Sequence, residues 1–262
     1  QQYIDMAERD CVKIKYIFET HFHADFVSGH LTLAEKTGAT IVFGPNAKTG
    51  FDSLIAKDGQ RFKIGKVEIE TLHTPGHTME STTYLVNDKQ GKPHAIFSGD
   101  TVFLGDVGRP DLAQKATNMS QEDLAGILFE SIRKKILPLP DDVIIYPGHG
   151  AGSACGKNMS IETIGTLGHE KKTNYALRPD MSKEEFVAEL CEGLPKPLEY
   201  FGLNVAMNKY GYKSIDDVIE NGHNMLGVED FDNASTATEA LILDVRHQRE
   251  FIKGFIPGSI FI

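Results

Sequence analysis

The sequence predicts a layered α/β or α+β domain whose strand ends carry metal-type ligands. Three observations lead there. Short β-like runs alternate with helical patterns, and the loops directly after several of those runs hold histidine and aspartate. At 262 residues with 40% hydrophobic side chains, the chain is also long enough to bury one large core or two modest ones.

The elements follow in order. Residues 1–10, QQYIDMAERD, read as the middle of an amphipathic helix, so the chain is expected to begin inside its domain. KIKYIF (13–18) alternates basic and apolar residues as a half-buried strand does, and it turns directly into ETHFHADFVSGH (19–30). SGHLTLAEKTGA then has helical spacing, with Ser28 as the expected N-cap and Gly38 as the stop. TIVFG is a short buried strand. RFKIG, VEIETLHT, STTYLVND and HAIFSGD, separated by polar turns, predict a mostly antiparallel sheet of hairpins. SQEDLAGILFESIRKKILPLP opens on a serine cap and an acidic first turn, carries apolar positions at Leu124, Ile127, Leu128, Ile132 and Ile136, and ends in prolines, as an amphipathic helix would. DVIIYPGHG delivers His149 from a buried strand to a glycine-rich loop. From about residue 161 the pattern shifts to short helices broken by Pro179, Pro195 and Pro197. EDFDNASTATE (229–239) reads as a linker, and ALILDVRHQREFIKGFIPGSIFI as the opening strand and helix of a further domain.

Composition excludes several functions. The net charge of -10, from 27 basic against 37 acidic side chains, argues against a surface that tracks nucleic-acid phosphates. No apolar run approaches the roughly 20 residues that span a bilayer, and the first residues form no basic and apolar leader. Three cysteines, Cys11, Cys155 and Cys191, are too few and too scattered for a disulfide framework, which fits a reducing cytoplasm.

The chemistry lies in the histidines. His21, His23 and Asp25 in THFHAD, His77 in HTPGHT, Asp100 in FSGDT and His149 in YPGHG each follow a strand-like run, so all can converge on one edge of the sheets. Histidine with carboxylate suits zinc or non-haem iron, and the absence of a cysteine pair argues against a structural zinc. Any one of these histidines reads equally well as a core or loop residue. The set does not.

This set in this order resembles the metallo-β-lactamase superfamily, whose HxHxDH motif is followed by an isolated histidine, a bridging aspartate and a last histidine. The resemblance covers roughly residues 1–170. It implies an α+β fold, a four-layer αββα sandwich with metal at one edge of the two sheets, in which further strands precede the first motif. In dinuclear members such as the thiolester hydrolases, the residue after the aspartate is a histidine that helps hold a second metal. Phe26 stands there and cannot ligate. A mononuclear site is therefore expected, and the persulfide dioxygenases are the branch that uses one metal. Carried over, the iron ligands would be His21, His77 and Asp100, leaving open positions for a sulfur anion and dioxygen. His23, Asp25 and His149 would orient ligands or bind water and substrate.

GDVGRPDLA (105–113), YPGHGAGSACGK (146–157) and EGLPKPLEYFGLNVAMN look like persulfide dioxygenase to rhodanese fusions in particular. LILDVRHQREFIKGFIPGSI resembles the opening of a rhodanese domain, with Asp244, Arg246 and Glu250 in the usual order and Phe255 where histidine is common. The expected organisation is thus a metal-binding domain over 1–170, a helical extension and linker over 171–237, and the start of a truncated rhodanese-like domain over 238–262. The resemblance implies a cytoplasmic homodimer or homotetramer with one Fe(II) per chain, Zn being the alternative. It would oxidise a thiol persulfide with dioxygen to sulfite and free thiol in sulfide detoxification. Two other readings are a dinuclear zinc hydrolase of the glyoxalase II type and a non-catalytic sulfur-handling subunit.

Cys155, six residues past His149 in a glycine-rich loop, is a candidate catalytic thiol that accepts or relays sulfane sulfur, or else a small loop residue. Arg109, Lys157 and Arg178 are candidates to hold the carboxylates of a thiol carrier, and Tyr146 to donate a hydrogen bond to substrate. Cys11 and Cys191 lie on helical patterns among apolar neighbours and read as packing residues. His73, four residues before His77, reads as a brace for that loop.

Overall fold

In the computed structural model, which describes residues 1–262 apart from the side chains of Lys115 and Ala116, the chain divides into two units, Gln1–Tyr212 and Lys213–Ile262. The first opens with helix α1 (Gln2–Arg9) and strand β1 (Tyr16–Phe18). Helix α2 (His30–Thr37) returns the chain to β2 (Thr40–Phe43), and β3 (Leu54–Ile55) completes a three-stranded parallel sheet in the order β1-β2-β3. Strands β4 (Arg61–Ile64), β5 (Val67–His73), β6 (Thr82–Asn87) and β7 (Pro93–Gly99) form the expected antiparallel meander. After the short helix α3 (Gln114–Thr117), helix α4 (Gln121–Ser131) crosses over to β8 (Ile144–Pro147), which pairs parallel with β7. β9 (Gly165–Thr166) closes the second sheet as its sixth strand. Helices α5 (Leu167–Thr173), α6 (Lys183–Cys191) and α7 (Phe201–Tyr210) follow.

Three apolar clusters fix the layers. Val42, Ala56 and Phe62, with Tyr16, Phe18 and Ile69, fill the space between the sheets, where Phe18 meets Phe62 edge to face at 5.2 Å. Phe22, Ile41 and Phe43 on the other side of the small sheet take Leu31 and Ala34 of α2 and Val205 of α7. Ile96, Ile145 and Leu85 of the large sheet take Leu128 and Ile132 of the α4 region and Phe186 and Leu190 of α6. Helices therefore cover the outer face of each sheet, and the order is α, β, β, α.

The α4 segment explains its own shape. Ser120 and Asp123 form a capping box, and Leu124, Leu128, Ile132 and Ile136 are fully buried. Steps of four drift about 40° around an α-helix, so a long run of them would leave the core. A wider π turn over Ile132–Ile136, closed by Leu137 N–H donating to Ile132 O at 3.0 Å, keeps Ile136 inside.

Three expectations need correction. Ser28 does not cap α2: the N-cap is Gly29, while Ser28 Oγ donates to Glu19 at 2.9 Å and its N–H to Asn208 Oδ1 at 2.8 Å, partners that a cap would have forfeited. Gly38 does end that helix, with φ of 70°. The stretch read as a linker is helix α9 (Val228–Thr238), which has no glycine or proline inside it and places Glu229 and Asp230 in its first turn, where the helix dipole favours acids. Cys11 is exposed rather than packed, in a left-handed conformation just past α1, while Cys191 is partly buried against the core.

Within the second unit, α8 (Ile215–Gly222) precedes α9. β10 (Leu243–Asp244) then pairs parallel with β11 (Ile260–Phe261) across the short helix α10 (Gln248–Phe251). Asp244 fixes the turn after β10 by pairing with Arg246 at 2.6 Å, and Arg246 also donates to Gly254 O at 2.8 Å. No helix among the described residues is long and apolar enough to cross a membrane.

His30 starts α2 inside the core, 2% exposed among Phe43, Phe51 and Tyr212, with neither ring nitrogen hydrogen-bonded. Burial lowers its pKa from 6.5 to about 4. The unfolded chain takes up this proton below pH 6.5 and the native state does not, so the contribution is complete above that pH and is lost as pH falls toward 4. Urea denaturation of metal-free protein should show His30→Leu losing about 2 kcal/mol less than wild type between pH 7 and pH 5.

Candidate metal centre

The first ligand loop leaves β1 and runs under α7. Asn208 Nδ2 donates to the carbonyls of His23 and Phe26, each at 2.8 Å, and Asn204 Nδ2 to that of Ala24 at 2.9 Å. Tyr212 donates its hydroxyl to Ser28 O and accepts from Leu31 N–H at 3.2 Å. The loop is thus held through its backbone, which leaves His21, His23 and Asp25 free to face the sheet edge. His77 follows β5, and its Nδ1 lies 2.8 Å from Arg109 O, which assigns the proton to Nδ1 and turns Nε2 toward Asp100. Asp100 follows β7, and His149 follows β8.

The predicted ligands meet. His77 Nε2 lies 3.3 Å, His149 Nε2 3.5 Å and His21 Nε2 3.8 Å from Asp100 Oδ2. His149 Nε2 is also 3.5 Å from Asp25 Oδ2. Three sets each bring their ligand atoms within 4.8 Å of one another: His21, His77 and Asp100; His23, Asp25 and His149; and Asp100, His149 and Cys155. Two glycines make room. A Cβ on Gly148 would stand 2.5 Å from Asp100 Oδ1, and one on Gly108 2.1 Å from Asp100 O.

The electrostatics favour a cation here. Burial, joined by the neighbouring histidines, holds His21 well below the usual imidazole range, and His23 is lowered to about 3, first by burial and then by His149. Their nitrogens therefore present lone pairs. Burial raises Asp100, while His77 and His149 oppose that shift. Both Asp100 oxygens, Asp25 Oδ1, His23 Nδ1 and His149 Nε2 are buried without a hydrogen-bond partner. Five buried polar atoms on four neighbouring side chains without hydrogen-bond partners are costly unless a positive charge satisfies them, so the residues fit a metal.

Phe26 covers the second set. It is 43% exposed, stacks on His23 with ring centroids 4.4 Å apart, and stands 6.5 Å from the His149 ring. Cys155, 1% exposed, lies beside Asp100 and His149, and burial and Asp100 push its thiol up.

Two of the three candidate carrier-binding cations, Arg109 and Lys157, have other partners. Arg109 is 2% exposed and gives its guanidinium to Asp111 through two 2.7 Å bonds, to Ala154 O at 3.1 Å and to Pro195 O. Its main chain takes His77 Nδ1 and donates to Cys155 O, so it positions ligand loops instead of facing a carrier. Lys157 Nζ donates to Glu189 O and Glu192 O and closes the C-terminus of α6. Arg178 is exposed, and its carbonyl accepts from Arg133. Tyr146 is half-buried and stacks on Phe97 at 5.2 Å. His73 braces its loop, Nε2 lying 3.0 Å from Met79 O.

Sequence reasoning passed over three supports. Asn204 and Asn208 stand four residues apart on one face of α7, which was the available signal, and Tyr212 follows just past the end of that helix. Glu19, buried and raised to about 7, sits 4.0 Å from His23 Nε2. Asp106 accepts from the N–H groups of Val107, Lys157 and Asn158 and from the Tyr175 hydroxyl, tying the loop after Asp100 to that of Cys155.

A sequence profile of the Metallo-beta-lactamase superfamily matches residues 7–149. The human mitochondrial persulfide dioxygenase ETHE1 is 31% identical over 204 residues, 74% of this chain and 71% of that protein. A probable hydroxyacylglutathione hydrolase of Schizosaccharomyces pombe is 28% identical over 195 residues, 66% of this chain and 71% of that protein. A metallo-beta-lactamase crystal structure from Staphylococcus aureus superposes with a TM-score of 0.85 at 32% identity, covering 100% of this chain and 74% of that one.

A methyl at position 148 must displace the Asp100 carboxylate. Gly148→Ala should weaken divalent metal binding by about tenfold to a hundredfold in a competition titration against a chelator.

Proposed function

Because the chain belongs to the metallo-β-lactamase superfamily, we propose that it is a mononuclear iron persulfide dioxygenase. It takes a low-molecular-weight thiol persulfide, dioxygen and water to the free thiol and sulfite. The balance closes: the outer sulfur loses four electrons, dioxygen gains four, water supplies the third oxygen of sulfite, and the S–S bond breaks as the thiol sulfur takes a proton. The observation that carries this reading is Phe26, stacked on His23 where dinuclear relatives place a ligand. The similarity to the human persulfide dioxygenase supports it.

His21, His77 and Asp100 would hold the iron. When bound, the metal would supply a centre that binds a sulfur anion and dioxygen and passes electrons between them. The chain's own residues do the rest. Arg109 O holds the His77 proton on Nδ1, so Nε2 keeps its lone pair. His149 Nε2 lies 3.5 Å from both Asp25 and Asp100, where it orients the two carboxylates at the edge of the iron ligands. Phe26 and Phe103, whose rings lie 6.5 and 6.0 Å from that of His149, keep water from its ring.

A second reading has an observation of its own. His23, Asp25 and His149 form a further ligand set, and the S. pombe relative is named a hydrolase, so a dinuclear thiolester hydrolase follows if both sets fill. Elemental analysis of anaerobically purified protein, paired with oxygen consumption on adding a thiol persulfide, separates the two. About one iron per chain with rapid uptake is the expected result. Two zinc ions, no uptake, and turnover of S-lactoylglutathione would replace the dioxygenase with the hydrolase.

A further inference from the structure

A groove of about 570 Å³ opens beside the ligand cluster, sharing His23, Phe26 and Gly148 with its border. Its walls are unlike those of a site built for anions. Phe97 and Tyr146, stacked on adjoining parallel strands, form one side, and Phe18 and Ile69 extend the apolar surface. Phe97 is 46% exposed, so this ring pair presents a face to whatever enters. Among the described lining residues there is no lysine or arginine, and the one carboxylate is Glu19. Two of the cations that sequence offered for an anion, Arg109 and Lys157, direct their side-chain hydrogen bonds to internal carbonyls and Asp111.

We propose that this groove selects the thiol carrier, resting on the persulfide reading above: it accepts carriers whose flank beside the sulfur is uncharged and disfavours those bearing a carboxylate there. The persulfide sulfur reaches the ligand cluster past Phe26, and the carrier behind it lies along Phe97 and Tyr146. A carboxylate on that flank loses water against aromatic rings and gains no cation. A neutral amide or methylene flank exchanges water for ring surface. Phe97 and Tyr146 are then specificity-determining residues, and a positive charge at either should relax the choice.

A matched pair of probes tests this. N-acetylcysteamine persulfide and N-acetylcysteine persulfide share a skeleton and differ by one carboxylate, on the carbon adjacent to the one that bears sulfur. For the iron-loaded chain, kcat/KM should favour the neutral compound by about tenfold or more, and Phe97→Arg or Tyr146→Lys should cut that ratio at least about fivefold. Dissociation constants of the two parent thiols, measured anaerobically by NMR titration, should show the same preference in wild type. Equal kcat/KM values, or equal thiol affinities, overturn the proposal while leaving the dioxygenase reading intact. Absence of oxygen uptake with either persulfide, alongside tighter binding of the neutral thiol, removes the dioxygenase reading and keeps the groove's selectivity.

Discussion

The structure depends on one carboxylate kept out of water without a donor. Asp100 is 1% exposed, and neither of its oxygens is hydrogen-bonded. An isolated buried carboxylate would neutralise itself by taking a proton. Three histidine nitrogens lie within 3.8 Å of its Oδ2, Gly148 leaves room for its Oδ1, and Gly108 leaves room for its main-chain carbonyl. Much of the surrounding architecture can be understood as delivery: four strands or loops ending at the same edge, each contributing a short, rigid approach to that point.

Rigidity comes from backbone contacts more than from the ligands themselves. Asp106 collects three N–H groups and a phenol, and Arg109 ties its own loop to that of Cys155 and to the segment at Pro195. These groups are buried and satisfied, unlike the ligand atoms a few ångströms away. The contrast separates the two kinds of buried polar residue. Those with complete hydrogen bonding hold the fold, and those left incomplete await a partner.

The ligand set was legible because each histidine or aspartate follows a strand-like run, and strand ends gather at a sheet edge whatever the intervening loops do. The hairpin meander and the α4 cap were legible for the same local reasons. Arg109 and Lys157 misled, because a charged side chain looks alike in sequence whether it faces a solute or the protein itself; besides Asp111 two residues on, the carbonyls that take them lie 32 or more residues away. Ser28 misled because a cap competes with tertiary partners that no window around residue 28 contains. The helix at Val228–Thr238 was missed by weighting its polarity over its lack of glycine and proline.

The backbone of the first histidine loop is anchored by Asn204, Asn208 and Tyr212, while the superfamily profile ends at residue 149. The inherited motif and the physically sufficient piece are therefore of different lengths. Recombination or gene trimming that respected the motif alone would carry all the ligands and leave the carbonyls of His23, Ala24 and Phe26 without their amides. For this chain, a piece cut at the end of the profile would keep every ligand and lose the side chains that hold the first ligand loop.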